Sequence, residues 1–223
     1  MIISDKISKF LLLVATLLIV FSCEDNKADW NGTVTDIDGN VYKTVRIGDQ
    51  WWMAENLRTT SYRNGDAVPN ITDFTEWTNL DSGAYCNYNN DVNKAATYGS
   101  LYNWYAVDDS NNITPEGWHV PSDGEWQVLV NYLGGIDAAG RKMKETGTTH
   151  WCTFNIDATN ESGFTALPSG CLNLNGDFYN LGYGAYFWSS DVWPYTLLCN
   201  YSGVYGDYFG KKQSGYSVRC VRD

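Results

Sequence analysis

The sequence has few of the features that mark a metalloenzyme or a phosphate-binding protein. Its 223 residues include only two histidines, His119 and His150, and neither belongs to a His-Glu-x-x-His zinc helix. Cys-x-x-Cys spacing, a Gly-x-Ser-x-Gly elbow, a phosphate loop and a dinucleotide fingerprint are also missing. We therefore expect no metal, no cofactor and no catalytic activity. A glycosidase pair of carboxylates is a spatial arrangement, so the sequence leaves it open.

Positive charge and proline are also scarce. The chain has 15 Lys and Arg against 26 Asp and Glu, and the net charge of −11 repels nucleic-acid phosphate, so we expect no nucleic-acid partner. Only 5 prolines and 18% charged residues argue against disorder, and aromatic residues make up 15% of the chain. With no internal repeat or low-complexity segment, a single domain is the simplest interpretation.

The longest apolar run is too short to span a membrane comfortably. Residues 10–21 form a run of 12, whereas a spanning helix needs roughly 20 residues. The run follows Lys6 and Lys9 and ends just before Cys23, in the order of a secretory signal. It resembles a bacterial lipobox, which implies that residues 1–22 are removed and that Cys23 carries lipid. The alternative is an uncleaved N-terminal anchor.

The residues after Cys23 bear on localisation. Glu24 and Asp25 resemble the surface-export signal of Bacteroidetes lipoproteins, so we expect an outer-membrane lipoprotein on the extracellular face. The alternative is that this acidic segment is only a polar tether. We assign residues 23–33 to the lipidated N-terminus and tether, and residues 34–223 to the folded domain.

Turn residues and alternating patterns predict several strands. Asp38-Gly39-Asn40 separates two segments of strand composition, 33–37 and 41–47, and a second turn leads to residues 51–53. Glycines punctuate four later candidates, which are residues 164–167, 185–189, 196–201 and 216–221. Residues 64–93 show no periodicity and are expected to be irregular. Asp36 to Asn40 slightly resembles a calcium loop but lacks the later carboxylate, so we interpret it as a turn.

Three helices are predicted. Apolar residues from Tyr98 to Ala106 recur at i, i+3, i+4, i+7 and i+8, which predicts one helix. A capping box from Ser122 to Glu125 begins a second helix, whose buried stripe runs from Trp126 to Leu133 and which ends at Gly134-Gly135. A third short helix covers residues 138–144.

Five cysteines remain after Cys23, and exported proteins can keep disulfides. An odd number leaves at least one thiol unpaired or paired between chains. The sequence alone leaves the connectivity open among Cys86, Cys152, Cys171, Cys199 and Cys220.

Seven ordered segments carry a family resemblance: IGDQWWMAENLRTT (47–60), AYCNYNND (84–91), YGSLYNWYAV (98–107), PEGWHVPSDGEW (115–126), ATNESGFTALPSG (158–170), FYNLGYGAYFWSSD (178–191) and SGYSVRCVRD (214–223). Together they resemble the Fibrobacter succinogenes major paralogous domain, which is similar to the C-type lectin-like fold and to formylglycine-generating sulfatase-modifying domains. The resemblance implies an α+β C-type lectin-like domain with a small twisted antiparallel sheet, two flanking helices and long loops.

The chain departs from the family in its cysteines. Many members have a cysteine just before the Pro-x-Gly-Trp-His segment, a natural partner for the one in the last strand, but Ile113-Thr114 stands there in this chain. Cys220 is therefore expected to pair elsewhere or to stay free. Two of Cys152, Cys171 and Cys199 are expected to form a replacement bridge.

Lectin-like folds carry ligands on the loops near the late strands. The calcium motifs of sugar-binding lectins are missing, so we expect no calcium-dependent sugar binding, while a structural calcium stays open. The loops 191–195 and 201–209 are aromatic and rich in glycine, and flat rings stack on sugar faces. The candidate ligand-binding residues are Trp188, Asp191, Trp193, Tyr195, Tyr205 and Tyr208.

The predicted function is a non-catalytic surface module that binds glycan or another extracellular macromolecule. The alternatives are a structural component of the outer envelope and an enzyme, either glycan-active or of the formylglycine-generating type. His119 is expected to be a hydrogen-bonded core residue, and His150 is expected to lie in a loop.

Overall fold

A computed structural model describes residues 29–206 and 210–223. The signal segment, Cys23 and Tyr208 lie outside the described residues. Within them no helix is long and apolar enough to cross a membrane. The elements in chain order are β1 (Asp29–Thr35), β2 (Val41–Ile47), β3 (Gln50–Met53), α1 (Phe74–Thr78), β4 (Tyr85–Cys86), a 3-10 helix (Tyr88–Asn90), α2 (Val92–Tyr98), β5 (Leu101–Tyr102), α3 (Trp104–Val107), β6 (Trp118–His119), α4 (Asp123–Tyr132), α5 (Ala139–Met143), β7 (Ser169–Leu172), β8 (Phe178–Leu181), β9 (Gly184–Trp188), β10 (Pro194–Leu198), β11 (Tyr205–Gly206) and β12 (Val221–Arg222).

The chain forms an α+β fold with two five-stranded sheets. The first has the order β1-β2-β3-β12-β6, and the second has the order β11-β10-β9-β7-β8. The named strand pairs are antiparallel except β7 with β9. The last segment of chain links the sheets, since Ser217 bridges to Phe187 of β9 before Val221 pairs with β3 and β6. This confirms the α+β class.

Helix α4 packs between the two sheets, and Trp126 contacts both of them. Trp126 is fully buried, and its ring lies 5.0 Å from Trp52 of the first sheet. It also lies 5.7 Å from Phe187 and 4.7 Å from Tyr195 of the second sheet. Truncating a buried tryptophan costs about 3–5 kcal/mol. The helix is therefore fixed against both sheets, and its outer face keeps a defined position.

The start of α4 follows the sequence prediction closely. The Ser122 hydroxyl accepts a hydrogen bond from the Glu125 amide, and the Glu125 carboxylate accepts one from the Ser122 amide at 2.8 Å, so the capping box is present. The early hairpin, α5 and the strands near 185 and 196 are also confirmed, with small shifts of their ends. Asp36 accepts bonds from Asp38, Asn40 and Tyr42, as a turn requires.

Four predictions were wrong in detail. The strand expected at residues 216–221 consists of isolated bridges at Tyr216 and Ser217 and of the short β12. The helix expected through Tyr98–Ala106 is split, because Gly99 has φ 73° and a side chain there would meet Asn56 at 2.5 Å. Residues 64–93 contain α1, β4 and a 3-10 helix rather than only irregular chain. Residues 164–167 form a single bridge from Ala166 to Lys144 instead of a strand.

Two cationic side chains lie in the interior. The Arg219 guanidinium donates to the Asn56 side chain at 2.6 Å and to the carbonyls of Met53, Phe164 and Thr165. The Lys144 ammonium donates to three backbone carbonyls, those of residues 156, 198 and 201, at 2.9–3.1 Å. Burial of a charge is tolerated when its hydrogen bonds are made. Both cations thus act as crosslinks between segments distant in sequence.

Candidate binding groove

A groove of about 420 Å³ lies between the outer face of α4 and the strands β10 and β11. Its walls combine aromatic, aliphatic and polar side chains. The described residues that line it are Asp123, Gln127, Val130, Asn131, Ile136, Trp193, Tyr195, Val204 and Gly206. Concave sites of this size, mostly apolar with a few polar groups, are typical of small-ligand sites.

The helical wall of the groove is a polar stripe. Asp123, Gln127 and Asn131 follow one another at intervals of four residues, so they share one face of α4. The Gln127 amide donates to the Asp123 carboxylate. The stripe therefore offers one carboxylate and two amides beside the buried face that carries Trp126.

Tyr195 forms the floor of the groove. Its hydroxyl donates to the Asp123 carboxylate at 2.6 Å, and its ring stacks on Trp126 with an interplanar angle of 13°. Tyr195 is buried, so little of its surface is accessible to a ligand in the groove. Tyr195 therefore ties the strand wall to the helix wall and sets the distance between them.

Trp193 lines the groove from the strand side. It lies in the turn between β9 and β10, which two bonds close: the Ser189 amide donates to the Trp193 carbonyl, and the Trp193 amide donates to the Ser189 hydroxyl. Val192 just before it has φ 72°, a conformation that is costly for a β-branched residue. The Trp193 side chain remains 42% exposed. A partly exposed indole thus stands beside a stripe of polar groups.

The other described residues that were predicted to bind a ligand do not line the groove. Trp188 is fully buried and its indole N–H donates to the Tyr102 carbonyl, so including it among surface ligand residues was wrong. Asp191 accepts a bond from the Asp123 amide at 2.7 Å and so caps α4. Tyr205 is 45% exposed, but it stacks on Tyr201 and does not line the groove.

The sequence prediction missed the helical half of the groove. The polar spacing of Asp123, Gln127 and Asn131 is visible in the sequence, but it resembles any solvated helix face. The packing of Trp126 on Tyr195 and the bonds of Asp123 to Asp191 and Tyr195 bring that face to the aromatic loop. The missing signal was therefore a long-range contact.

The two histidines are hydrogen-bonded and partly exposed. His119 lies with Nδ1 2.6 Å from Asp223 and Nε2 2.8 Å from Glu125, but its side chain is 36% exposed, so its placement in the core was wrong. Burial lowers the pKa of His119, but the bonds to Asp223 and Glu125 outweigh burial and the net shift is upward. His150 lies 2.8 Å from Glu145.

Metal-ligating groups do not converge in the described part of the chain, where no set of three or more His, Cys, Asp or Glu could hold an ion. One disulfide joins Cys152 to Cys199, which confirms a bridge among the three unusual cysteines. Cys86, Cys171 and Cys220 are free and buried.

Comparison with known proteins places the chain in a family. The model of the Fibrobacter succinogenes major domain matches residues 45–222, so the chain belongs to this family. No curated protein and no solved structure matches the chain significantly. The family description names no ligand and no reaction.

Proposed function

We propose that this protein is an outer-membrane lipoprotein on the extracellular face whose domain is a non-catalytic module that binds glycan. The observation that carries the proposal is the groove, which is lined both by the partly exposed Trp193 and by a helical stripe of one carboxylate and two amides. Aromatic rings stack on the apolar faces of sugars, and polar groups beside them bond hydroxyls. Such a site binds without a metal.

We further propose that the domain has a C-type lectin-like fold. In lectin-like folds the two ends of the chain lie close together. The first and last described strands of this chain, β1 and β12, belong to one sheet, which supports such a fold. The groove lies beside the β9–β10 turn, in the region of the late strands where lectin-like folds carry ligands.

Glycan binding is tested with the soluble fragment 25–223 on a glycan array. Trp193→Ala is expected to weaken binding about two- to tenfold, because an aromatic contact is worth about 0.5–1.5 kcal/mol and 1.4 kcal/mol is a factor of ten. Tyr205→Ala is the matched control, since it removes an exposed ring outside the groove. Retention of no glycan, together with tight binding to a protein partner, would contradict the proposal.

The lipid anchor is tested separately in cells. Intact-mass analysis is expected to find residues 1–22 absent and acyl mass on Cys23, and protease added to whole cells is expected to degrade the domain. Cys23→Ser is expected to abolish acylation and release the protein from the membrane fraction. An unmodified Cys23 in protein that fractionates with the cytoplasm would overturn the proposed localisation.

A further inference from the structure

We infer that the groove selects uncharged glycans and rejects acidic ones. This inference rests on the proposed glycan-binding function and adds the class of ligand. Among the described lining residues Asp123 carries negative charge, and none is lysine or arginine. An anionic sugar would therefore meet a carboxylate with no lining cation to offset it.

The place most suited to an anion is already occupied. The N-terminus of α4 opens at this end of the groove, and free amides at a helix start attract negative groups. Here the Asp123 amide donates to Asp191, and the Glu125 amide donates to Ser122. The Asp123 carboxylate adds its own negative charge, while the second carboxylate of the first turn, Glu125, is paired with His119. Protein groups thus occupy two amides of the helix start, and the carboxylates beside them leave it negative.

The remaining groups match hydroxyls. The amides of Gln127 and Asn131 each offer both a donor and an acceptor, as does a sugar hydroxyl. The Asp123 carboxylate accepts from hydroxyl donors, but it cannot donate to a sulfate or a uronate when ionised. The Trp193 indole contacts the C–H face of a ring without regard to charge. Each of these groups accommodates a neutral ligand, and the carboxylate opposes an acidic one.

The test compares paired polysaccharides that differ in charge. Hydroxyethyl and carboxymethyl derivatives of cellulose and of dextran have the same backbones and similar substituents. In affinity electrophoresis the fragment is expected to bind at least one hydroxyethyl derivative at least tenfold more tightly than its carboxymethyl partner. The difference is expected to shrink in about 1 M salt, where the Debye length is about 3 Å.

A change of charge inside the groove provides the second arm. Gln127→Lys places a cation beside Asp123 on an exposed helix position, and it is expected to narrow the tenfold preference to about threefold or less. Val128→Lys is the matched control, because Val128 is 54% exposed on the same helix but does not line the groove. That variant is expected to keep the wild-type preference.

The outcomes separate this inference from the function on which it rests. Tighter binding of the carboxymethyl derivatives, or array hits that are mainly sulfated or uronic glycans, would overturn the inference and leave glycan binding intact. An equal effect of Gln127→Lys and Val128→Lys would also overturn it, because the preference would then come from the overall charge. Binding of no glycan on the array and of no polysaccharide in electrophoresis would overturn both.

Discussion

At the scale of single residues, His119 joins three segments of chain. It belongs to β6, its Nε2 bonds Glu125 of α4, and its Nδ1 bonds Asp223 beyond β12. Glu125 also closes the capping box with its other oxygen. Both imidazole nitrogens face carboxylates, so the doubly protonated ring suits the site.

This arrangement predicts a dependence of stability on pH. The pKa of His119 is raised in the folded state, so its contribution is full below the unfolded value of about 6.5 and is lost as pH rises through the folded value. Compared with His119→Gln, the wild type is expected to gain up to about 1 kcal/mol near pH 6, because the group is partly exposed. Urea unfolding from pH 5 to 9 measures the difference. A difference that does not change with pH would contradict the assignment.

The sequence predicted some of these residues and not others. Ser122 and Glu125 were predicted because a capping box is a local pattern three residues long. The burial of Arg219 and Lys144 was not predicted, since their acceptors are mostly backbone carbonyls up to 166 residues away. Trp188 was assigned to the surface because the sequence near a loop does not reveal whether an aromatic side chain packs inward or faces a ligand.

At the scale of elements, the close contact of α5 with the loop before β11 sets one side of the groove. A side chain on Gly140 of α5 would place its Cβ 2.0 Å from the Gly203 carbonyl, and Val204 next to it lines the groove. A backbone oxygen cannot move away as a flexible side chain can.

Two glycine substitutions test this contact. Gly140→Ala is expected to lower the free energy of unfolding by about 1–3 kcal/mol, since overpacking exceeds the gain in helix propensity. Gly124→Ala in α4 is the control, because a Cβ there meets only Ser122 at 3.9 Å, and it is expected to raise stability by less than about 1 kcal/mol. Similar effects of the two changes would contradict the contact.

Element boundaries show why the sequence prediction failed where it did. The apolar spacing from Tyr98 to Ala106 fits a helix, but Tyr102 instead pairs with Tyr85 and bridges to Tyr216. Gly99 permits the helix to end because it can adopt a positive φ. The pairing of Tyr102 with other segments then requires an extended backbone after that glycine. By contrast, the early hairpin was predicted correctly because its turn and strands are adjacent in sequence.

At the scale of the whole molecule, the Cys152–Cys199 bridge joins residues 47 positions apart and encloses β7, β8, β9 and β10. Such a bridge constrains the unfolded chain and thereby raises the free energy of unfolding by about 2–4 kcal/mol. The double change Cys152→Ser and Cys199→Ser is expected to lose that amount in chemical unfolding. Reductant is expected to destabilise the wild type and to leave the double variant unchanged. Equal stability of the wild type with and without reductant would contradict a stabilising bridge.

The three cysteines that are unpaired in the described part of the chain can report local opening of the core. Burial raises the pKa of the Cys171 thiol to about 12 and also raises the pKa of the Cys86 and Cys220 thiols, so reactive thiolate is scarce at neutral pH. Alkylating reagents will therefore modify these sulfurs only when the surrounding core opens. Because Cys86 lies in a different hydrophobic cluster from Cys171 and Cys220, the order in which mass spectrometry finds them labelled records which part of the interior loosens first.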